Sequence, residues 1–166
     1  MRRSLTAISA TLCSVALTGV IGMTSASASP AMAAKESFRF ATGSITSYTY
    51  SAIATGKFTA GGTVKINLAD NPYKIIFPGG TIKVVFHPGK TTTHVTSATC
   101  LWVWVEHGTY TLNGGTRAYR TIGGSGTAVN RGWAVMARNN KGKCTWAKNP
   151  FAYQQVVTMA GTVSGA

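Results

Sequence analysis

The chain has 166 residues, of which 16 are Lys or Arg and only 3 are Asp or Glu, so its formal charge is +13. Charged residues make up 11% of the chain and hydrophobic residues 45%, a charged share well below the about 25% of an average soluble domain and an ordinary hydrophobic share. This composition argues against a disordered chain, and the 19 glycines and 5 prolines fit neither collagen nor a proline-rich linker.

The first 34 residues have the order of a secretory signal peptide. Arg2 and Arg3 form a basic start, an apolar stretch covers about 5–23, and small residues then offer cleavage sites at 26–28 and 31–33. A membrane anchor is the alternative, but Ser, Thr and Gly dilute the stretch and no charged cluster ends it. The sequence therefore predicts a cleaved signal over residues 1–34, a secreted product, and no membrane span elsewhere.

The rest of the chain, residues 35–166, is expected to form a single domain of short strands. Apolar and polar residues alternate in six runs rich in β-branched and aromatic residues: 37–40, 48–50, 63–68, 81–86, 102–105 and 155–159. Glycine pairs such as Gly123-Gly124 indicate turns, and at most one turn of helix is expected near 116–120. The pattern predicts an all-β antiparallel closed barrel of about eight strands, with a β-sandwich as the alternative.

Three cysteines are present, and Cys13 lies within the predicted signal peptide. Cys100 and Cys144 would remain after cleavage, and a pair of cysteines in an exported protein most simply forms a disulfide. In the chain-entropy model such a bond contributes about 4 kcal/mol to stability. Two free thiols, or half of a metal site, are the alternatives.

Residues 105–126 read VEHGTYTLNGGTRAYRTIGGSG. This stretch resembles the G-T-[YF]-x-[IL]-x-G-G-T-G-x-[YF]-x-G-x-x-G-S-G pattern of small secreted bacterial β-barrels that are similar to allene oxide cyclase-like and dirigent-like proteins. Arg117 and Thr121 stand where that pattern usually has Gly. The resemblance implies an eight-stranded barrel with an interior cavity, and it implies no catalytic residue at a numbered position.

The sequence gives little support for a catalytic site or a metal site. The only carboxylates beyond the signal peptide are Glu36 near the N-terminus of the mature chain, Asp70 in a turn before Pro72, and Glu106. Hydrolysis by paired acids would need two of these distant groups to meet. Imidazoles and a carboxylate are suitable metal ligands, but their spacing here matches no compact ligand motif: His87, His94, Glu106 and His107. We therefore expect no metal and no cofactor.

Glu106 is the most enzyme-like residue of the chain. It lies on the same face of a predicted strand as Trp102 and Trp104, because strand side chains repeat every two residues. One interpretation is a surface ion pair with one of the many cations, worth about 0–1 kcal/mol. The other is an acid at the mouth of the barrel that is suited to proton transfer.

Three functions follow as hypotheses. The leading one is a secreted, disulfide-bonded barrel without catalysis that binds a small apolar or aromatic ligand, lined by Phe58, Trp102, Trp104 and Tyr110. The second is a cyclase or isomerase acting on an apolar substrate, in which Glu106 with His107 or Tyr110 would transfer a proton. The third is a cationic protein that binds anionic polymers of the cell envelope through its surface charge. No motif for specific nucleic-acid binding is present.

Overall fold

The computed structural model describes residues 32–66 and 72–165. The part of the predicted signal peptide before residue 32, Asn67 and Leu68 of the third alternating run, and Asp70 lie outside the described residues. The described part contains the following strands: β1 (Ala34–Thr42), β2 (Thr49–Gly56), β3 (Ala60–Lys65), β4 (Tyr73–Phe77), β5 (Gly80–His87), β6 (Thr91–Thr96), β7 (Leu101–Gly115), β8 (Gly123–Val135), β9 (Ala137–Arg138), β10 (Cys144–Thr145) and β11 (Ala152–Ser164).

Eight of these strands close into an antiparallel barrel. They neighbour one another in the order β5-β4-β3-β2-β1-β11-β8-β7, and β5 pairs back with β7. The prediction of an all-β closed barrel is therefore confirmed, and the sandwich alternative is wrong. Residues 32–66 and 72–165 contain one helical turn, a 3-10 turn at Arg117–Tyr119, and it lies where one turn was expected. Cys100 and Cys144 form the predicted disulfide.

Alternation of side chains along the strands fills the inside of the barrel. In β1, Glu36, Phe38 and Phe40 are buried, and in β2 Tyr50 and its alternate neighbours are buried, while the residues between them are mostly exposed. Burying one large apolar side chain such as Phe38 stabilises the fold by about 1.5–3 kcal/mol. The apolar periodicity of the sequence thus selects which face of each strand points inward.

One side of the barrel extends beyond the other. β7 has 15 residues and β8 and β11 have 13 each, whereas β4 has 5. β5 ends at His87, which lies opposite Thr109 of β7, and β6 then pairs with the earlier half of β7, from Glu106 to Leu101. At this end of the barrel, β7, β8 and β11 therefore extend beyond the other strands. This extension, made of the first half of β7 and its partners in β8 and β11, is called the raised wall below.

Strand β8 departs from the sequence prediction, because Gly123-Gly124 opens a long strand and not a turn. The glycines of this region permit close contact between neighbouring strands. A Cβ atom at Gly126 would lie 2.1 Å from the carbonyl oxygen of Ala160 on β11. Glycine within a strand commonly marks such a close approach of two backbones.

Candidate functional site

A cavity of about 900 Å³ lies inside the barrel at the end that carries the raised wall. Its mouth is lined by exposed Tyr48 and Trp146, and its interior by buried side chains such as Val64 and Ile75. Nine of its lining residues are aromatic: Phe40, Tyr48, Tyr50, Tyr73, Phe86, Trp102, Trp104, Trp146 and Tyr153. A cavity of this size and apolar character is typical of a binding site for a small molecule.

Four aromatic rings form a continuous wall of this cavity. The ring of Trp102 lies 4.7 Å from that of Trp104 and also 4.7 Å from that of Trp146, which stands nearly perpendicular to it at 78°. Trp104 in turn lies 5.6 Å from Tyr153. Ring pairs at these separations are mutually stabilising in tilted and edge-on geometries.

The disulfide helps to position the outermost ring of the wall. Cys100 lies two residues before Trp102, and Cys144 lies two residues before Trp146. The bond joins two segments that are 44 residues apart in the chain, with their Cα atoms 5.4 Å apart. The covalent link therefore holds the segment that carries Trp146 close to the start of β7.

A hydrogen-bonded network of polar side chains runs along the cavity and ends at Glu106. Tyr50 Oη and Tyr153 Oη both donate to Gln155 Oε1, at 2.8 and 2.5 Å. Gln155 Nε2 donates to Asn130 Oδ1 at 2.8 Å, and Asn130 Nδ2 donates to Glu106 Oε2 at 3.0 Å. Every bond in the series points toward the carboxylate, which is the final acceptor.

Strand register brings these residues together. Asn130 of β8 lies directly opposite Glu106 of β7 and opposite Val157 of β11, two residues from Gln155. Within the described residues Glu106 forms no ion pair with Lys or Arg. Glu106 lines the cavity without a cationic partner among the described residues, and its suitability for proton transfer stays a prediction.

Tyr50 and Tyr153 of the cavity donate hydrogen bonds, and burial raises the pKa of each phenol and so favours its neutral form. Burial raises the pKa of Tyr50 to about 12, and the neighbouring phenols of Tyr153 and Tyr73 add to the effect. Burial also raises the pKa of Tyr73, and the negative charge of Glu106 contributes to that rise. Glu106 is the only Asp, Glu, Lys, Arg or His among the described residues that line the cavity.

The predicted site residues separate into two groups. Trp102, Trp104 and Glu106 line the cavity together. Tyr110 and Phe58 do not line it. They pack around Phe38 in the part of the barrel that side chains fill, called the filled half below. Their ring centroids lie 6.3 and 6.1 Å from that of Phe38.

His107 is also separated from Glu106. It lies one residue further along β7, so that its side chain is on the outer face of the strand, where it is exposed. The structure therefore does not bring together the predicted pair of Glu106 and His107.

Sequence reasoning did not find several residues of the site. Asn130, Gln155, Tyr73, Tyr153 and Trp146 all contribute to the cavity. Gln155 lies in a predicted strand, so the alternation of inward and outward side chains along that strand could have predicted that it points inward. The meeting of Gln155, Asn130 and Glu106 depends on the register of three strands, which no local pattern specifies.

Glu36 forms a second polar position, in the filled half of the barrel. It is only 2% exposed, although it lies near the N-terminus of the predicted mature chain. Its Oε2 accepts a hydrogen bond from the Phe58 amide at 3.2 Å, while Oε1 and the nearby Tyr110 hydroxyl have no hydrogen-bond partner among the described residues. Burial raises the pKa of Glu36, and the bond from Phe58 opposes that effect in part.

Residues 32–66 and 72–165 contain no group of three or more His, Cys, Asp or Glu side chains that could hold a metal ion. They also contain no helix with the length and hydrophobicity needed to cross a membrane. Comparison of the chain with protein-family models, curated proteins and solved structures finds no match. The resemblance of residues 105–126 to allene oxide cyclase-like and dirigent-like barrels therefore stays a prediction.

Proposed function

We propose that this protein is a secreted binding protein, without catalysis, that holds a small apolar or aromatic ligand in its barrel. The observation that carries the proposal is the 900 Å³ cavity with nine aromatic lining residues. Its volume falls within the range of about 300–1,000 Å³ that is common for ligand pockets. The predicted signal peptide and the disulfide support export to an oxidising compartment.

Titration with N-phenyl-1-naphthylamine, a neutral apolar dye that fluoresces in dry environments, tests this function. We expect saturable binding at one site per chain. Trp102→Ala removes part of the cavity wall and should weaken binding of the dye by about tenfold, the equivalent of about 1.4 kcal/mol. Trp133→Ala is the matched control, because Trp133 lies on the outer face of β8 and donates to Gln154.

The control should bind the dye as the wild type does. Circular dichroism establishes that both variants keep the β-sheet spectrum. Absence of saturable binding to the folded wild type, or equal weakening by both substitutions, would overturn the proposal.

A cyclase or isomerase is the second candidate, and it is favoured by the position of Glu106. A carboxylate that is held by Asn130 within an apolar cavity could accept a proton from a bound substrate. Comparison of the small molecules extracted from the wild type and from Glu106→Gln, each purified from culture medium, separates the two functions. A binding protein yields one and the same compound, in equal or smaller amount from the variant, whereas an enzyme yields product from the wild type and substrate from the variant.

A further inference from the structure

The cavity carries the opposite charge to the rest of the protein. The chain has 16 Lys and Arg residues against 3 acids, yet among the described residues Glu106 lines the cavity and no Lys, Arg or His does so. The described Lys and Arg residues are exposed, apart from half-buried Lys57. A cavity that selects a fatty acid or another anion would need a cation or several N–H donors at its polar end. This cavity has a carboxylate there.

Glu106 also has an oxygen available for a ligand. Asn130 bonds to Oε2, and no described residue donates a hydrogen bond to Oε1. A ligand that donates a hydrogen bond or carries a positive charge would complete the coordination of this group. An anionic ligand would be repelled by it, and the low polarity of the surroundings strengthens that repulsion.

The indole rings beside Glu106 suit the same kind of ligand. Trp104 is two residues from Glu106 on the same face of β7, and Trp102 stands between Trp104 and Trp146. Trp has the most favourable ring for contact with a cation, and several aromatic rings around one pocket are the usual means by which proteins bind alkylammonium groups. A carboxylate next to such rings adds a charge of the right sign.

We infer that the cavity selects an organic cation, namely an amine or quaternary ammonium compound with an apolar or aromatic body. The inference rests on the proposed binding function and specifies the class of its ligand. The charged group lies against Glu106 and the indole rings, and the apolar body occupies the interior toward Val64 and Ile75. The positive charge of the protein surface does not prevent this, because salt at about 0.15 M screens it beyond about 8 Å.

Displacement of N-phenyl-1-naphthylamine by three probes with the same alkyl chain tests the inference. The probes are decyltrimethylammonium, decanol and decanoate, each used below its micelle concentration. We expect the ammonium probe to displace the dye at about tenfold lower concentration than decanol, in line with the strength of cation–π and charge contacts. Decanoate should be the weakest. Repetition at about 0.5 M salt removes the attraction of the cationic surface for decanoate.

In Glu106→Gln the ratio between the displacing concentrations of decanol and of the ammonium probe should fall toward one, whatever the affinity of the variant for the dye. Glu36→Gln is the matched control, because it changes the other described carboxylate, which does not line the cavity, and it should keep the preference. Equal affinities for the three probes, tightest binding of decanoate at high salt, or an unchanged preference in Glu106→Gln would each overturn the inference. In those cases binding of the dye still supports the proposed function, whereas a wild type that binds no dye contradicts both.

Discussion

The two carboxyl side chains in the described part of the chain, Glu36 and Glu106, have different surroundings. Glu106 borders an open cavity and accepts a hydrogen bond from Asn130. Glu36 is enclosed in the filled half, where one of its oxygens has no partner among the described residues. A buried ionised group without full hydrogen bonding destabilises the folded state. The two residues therefore belong to different predictions, Glu106 to the proposed ligand binding and Glu36 to stability.

Substitution of Glu36 should change the dependence of stability on pH. Burial raises the pKa of Glu36 in the folded state, so the folded protein binds the proton of this carboxyl more tightly than the unfolded chain does. The stability that comes from this proton is fully present below the unfolded pKa of Glu36, and it is lost as the pH rises through the folded pKa. Glu36→Gln has no such loss. We expect the variant to be more stable than the wild type at pH 7, and the difference to decrease toward pH 4.

Urea unfolding of both proteins across this pH range measures the difference directly. Taking the difference between the two proteins removes the effect of general charge repulsion at low pH. A constant difference, or one that grows as pH falls, would show that Glu36 does not titrate in this way.

Arg117 has a backbone conformation that favours glycine. Its φ is 52°, in the left-handed region, and it stands where the resembling pattern usually has Gly. A side chain in this conformation costs about 1 kcal/mol or more. We expect Arg117→Gly to raise the free energy of unfolding by about 1 kcal/mol.

Arg120→Gly provides the control for that substitution. It makes the same change of charge at an exposed residue whose φ is −56°, so it should lower stability by about 0.5–1 kcal/mol. Equal effects of the two substitutions in urea unfolding would be inconsistent with backbone strain at Arg117.

Among the strands, the pair formed by β7 and β8 determines the shape of the cavity wall. Trp104 lies opposite Gly132, and a Cβ at Gly132 would lie 2.0 Å from the indole ring. The absence of a side chain on β8 thus leaves room for the ring of Trp104 to lie over the neighbouring strand.

Gly132→Ala should therefore disturb this wall. Overpacking of a filled site costs about 1–3 kcal/mol, and we expect that loss together with a changed near-ultraviolet circular dichroism spectrum of the tryptophans. Gly61→Ala is the control, because a Cβ at Gly61 meets no atom within 4 Å. If both variants unfold at the same urea concentration, the contact between Trp104 and Gly132 does not constrain the wall.

The local alternation of apolar and polar residues predicted the strands that have one buried face. It did not predict strands that are rich in glycine or that are exposed on both faces. β1, β5 and β7 contain clear alternation of apolar residues, and each lies at or around a predicted run. β8 contains glycines that read as turn signals, although they allow close contact with β11. β6 is exposed along its whole length, so it has no buried face to produce a periodic signal.

The site was less predictable than the fold for a related reason. Trp102, Trp104 and Glu106 share one strand, so their common face followed from the two-residue repeat of a strand. Tyr73, Asn130 and Gln155 reach the cavity from three other strands. Their proximity depends on strand register and barrel closure, which are properties of the whole chain.

The described barrel has a cationic surface and an aromatic cavity. The seven cations of the last third of the chain are all exposed: Arg117, Arg120, Arg131, Arg138, Lys141, Lys143 and Lys148. Such a surface attracts anionic polymers in a manner that depends on salt. Attraction of this kind could retain a secreted protein near an anionic cell envelope without any involvement of the cavity.

Chromatography on phosphocellulose tests that property. We expect the protein to bind at about 0.15 M salt and to elute by about 0.5 M, where charge interactions are screened within a few ångströms. Replacement of Lys141 and Lys143 by Gln should lower the elution concentration more than the same change at Lys74 and Lys83, which lie opposite each other on β4 and β5. Elution of the wild type near 0.15 M would leave the surface without a role in retention.

The indole N–H signals of the protein provide the most direct test of the ligand cavity. The chain has 4 tryptophans, of which Trp102, Trp104 and Trp146 line the cavity and Trp133 lies on the outer face of β8. In a ¹⁵N-labelled sample titrated with N-phenyl-1-naphthylamine, with Trp133 assigned from a Trp133→Phe variant, the three cavity signals should shift together while that of Trp133 stays in place. A shift of the Trp133 signal while the other three do not move would contradict a ligand site inside the barrel.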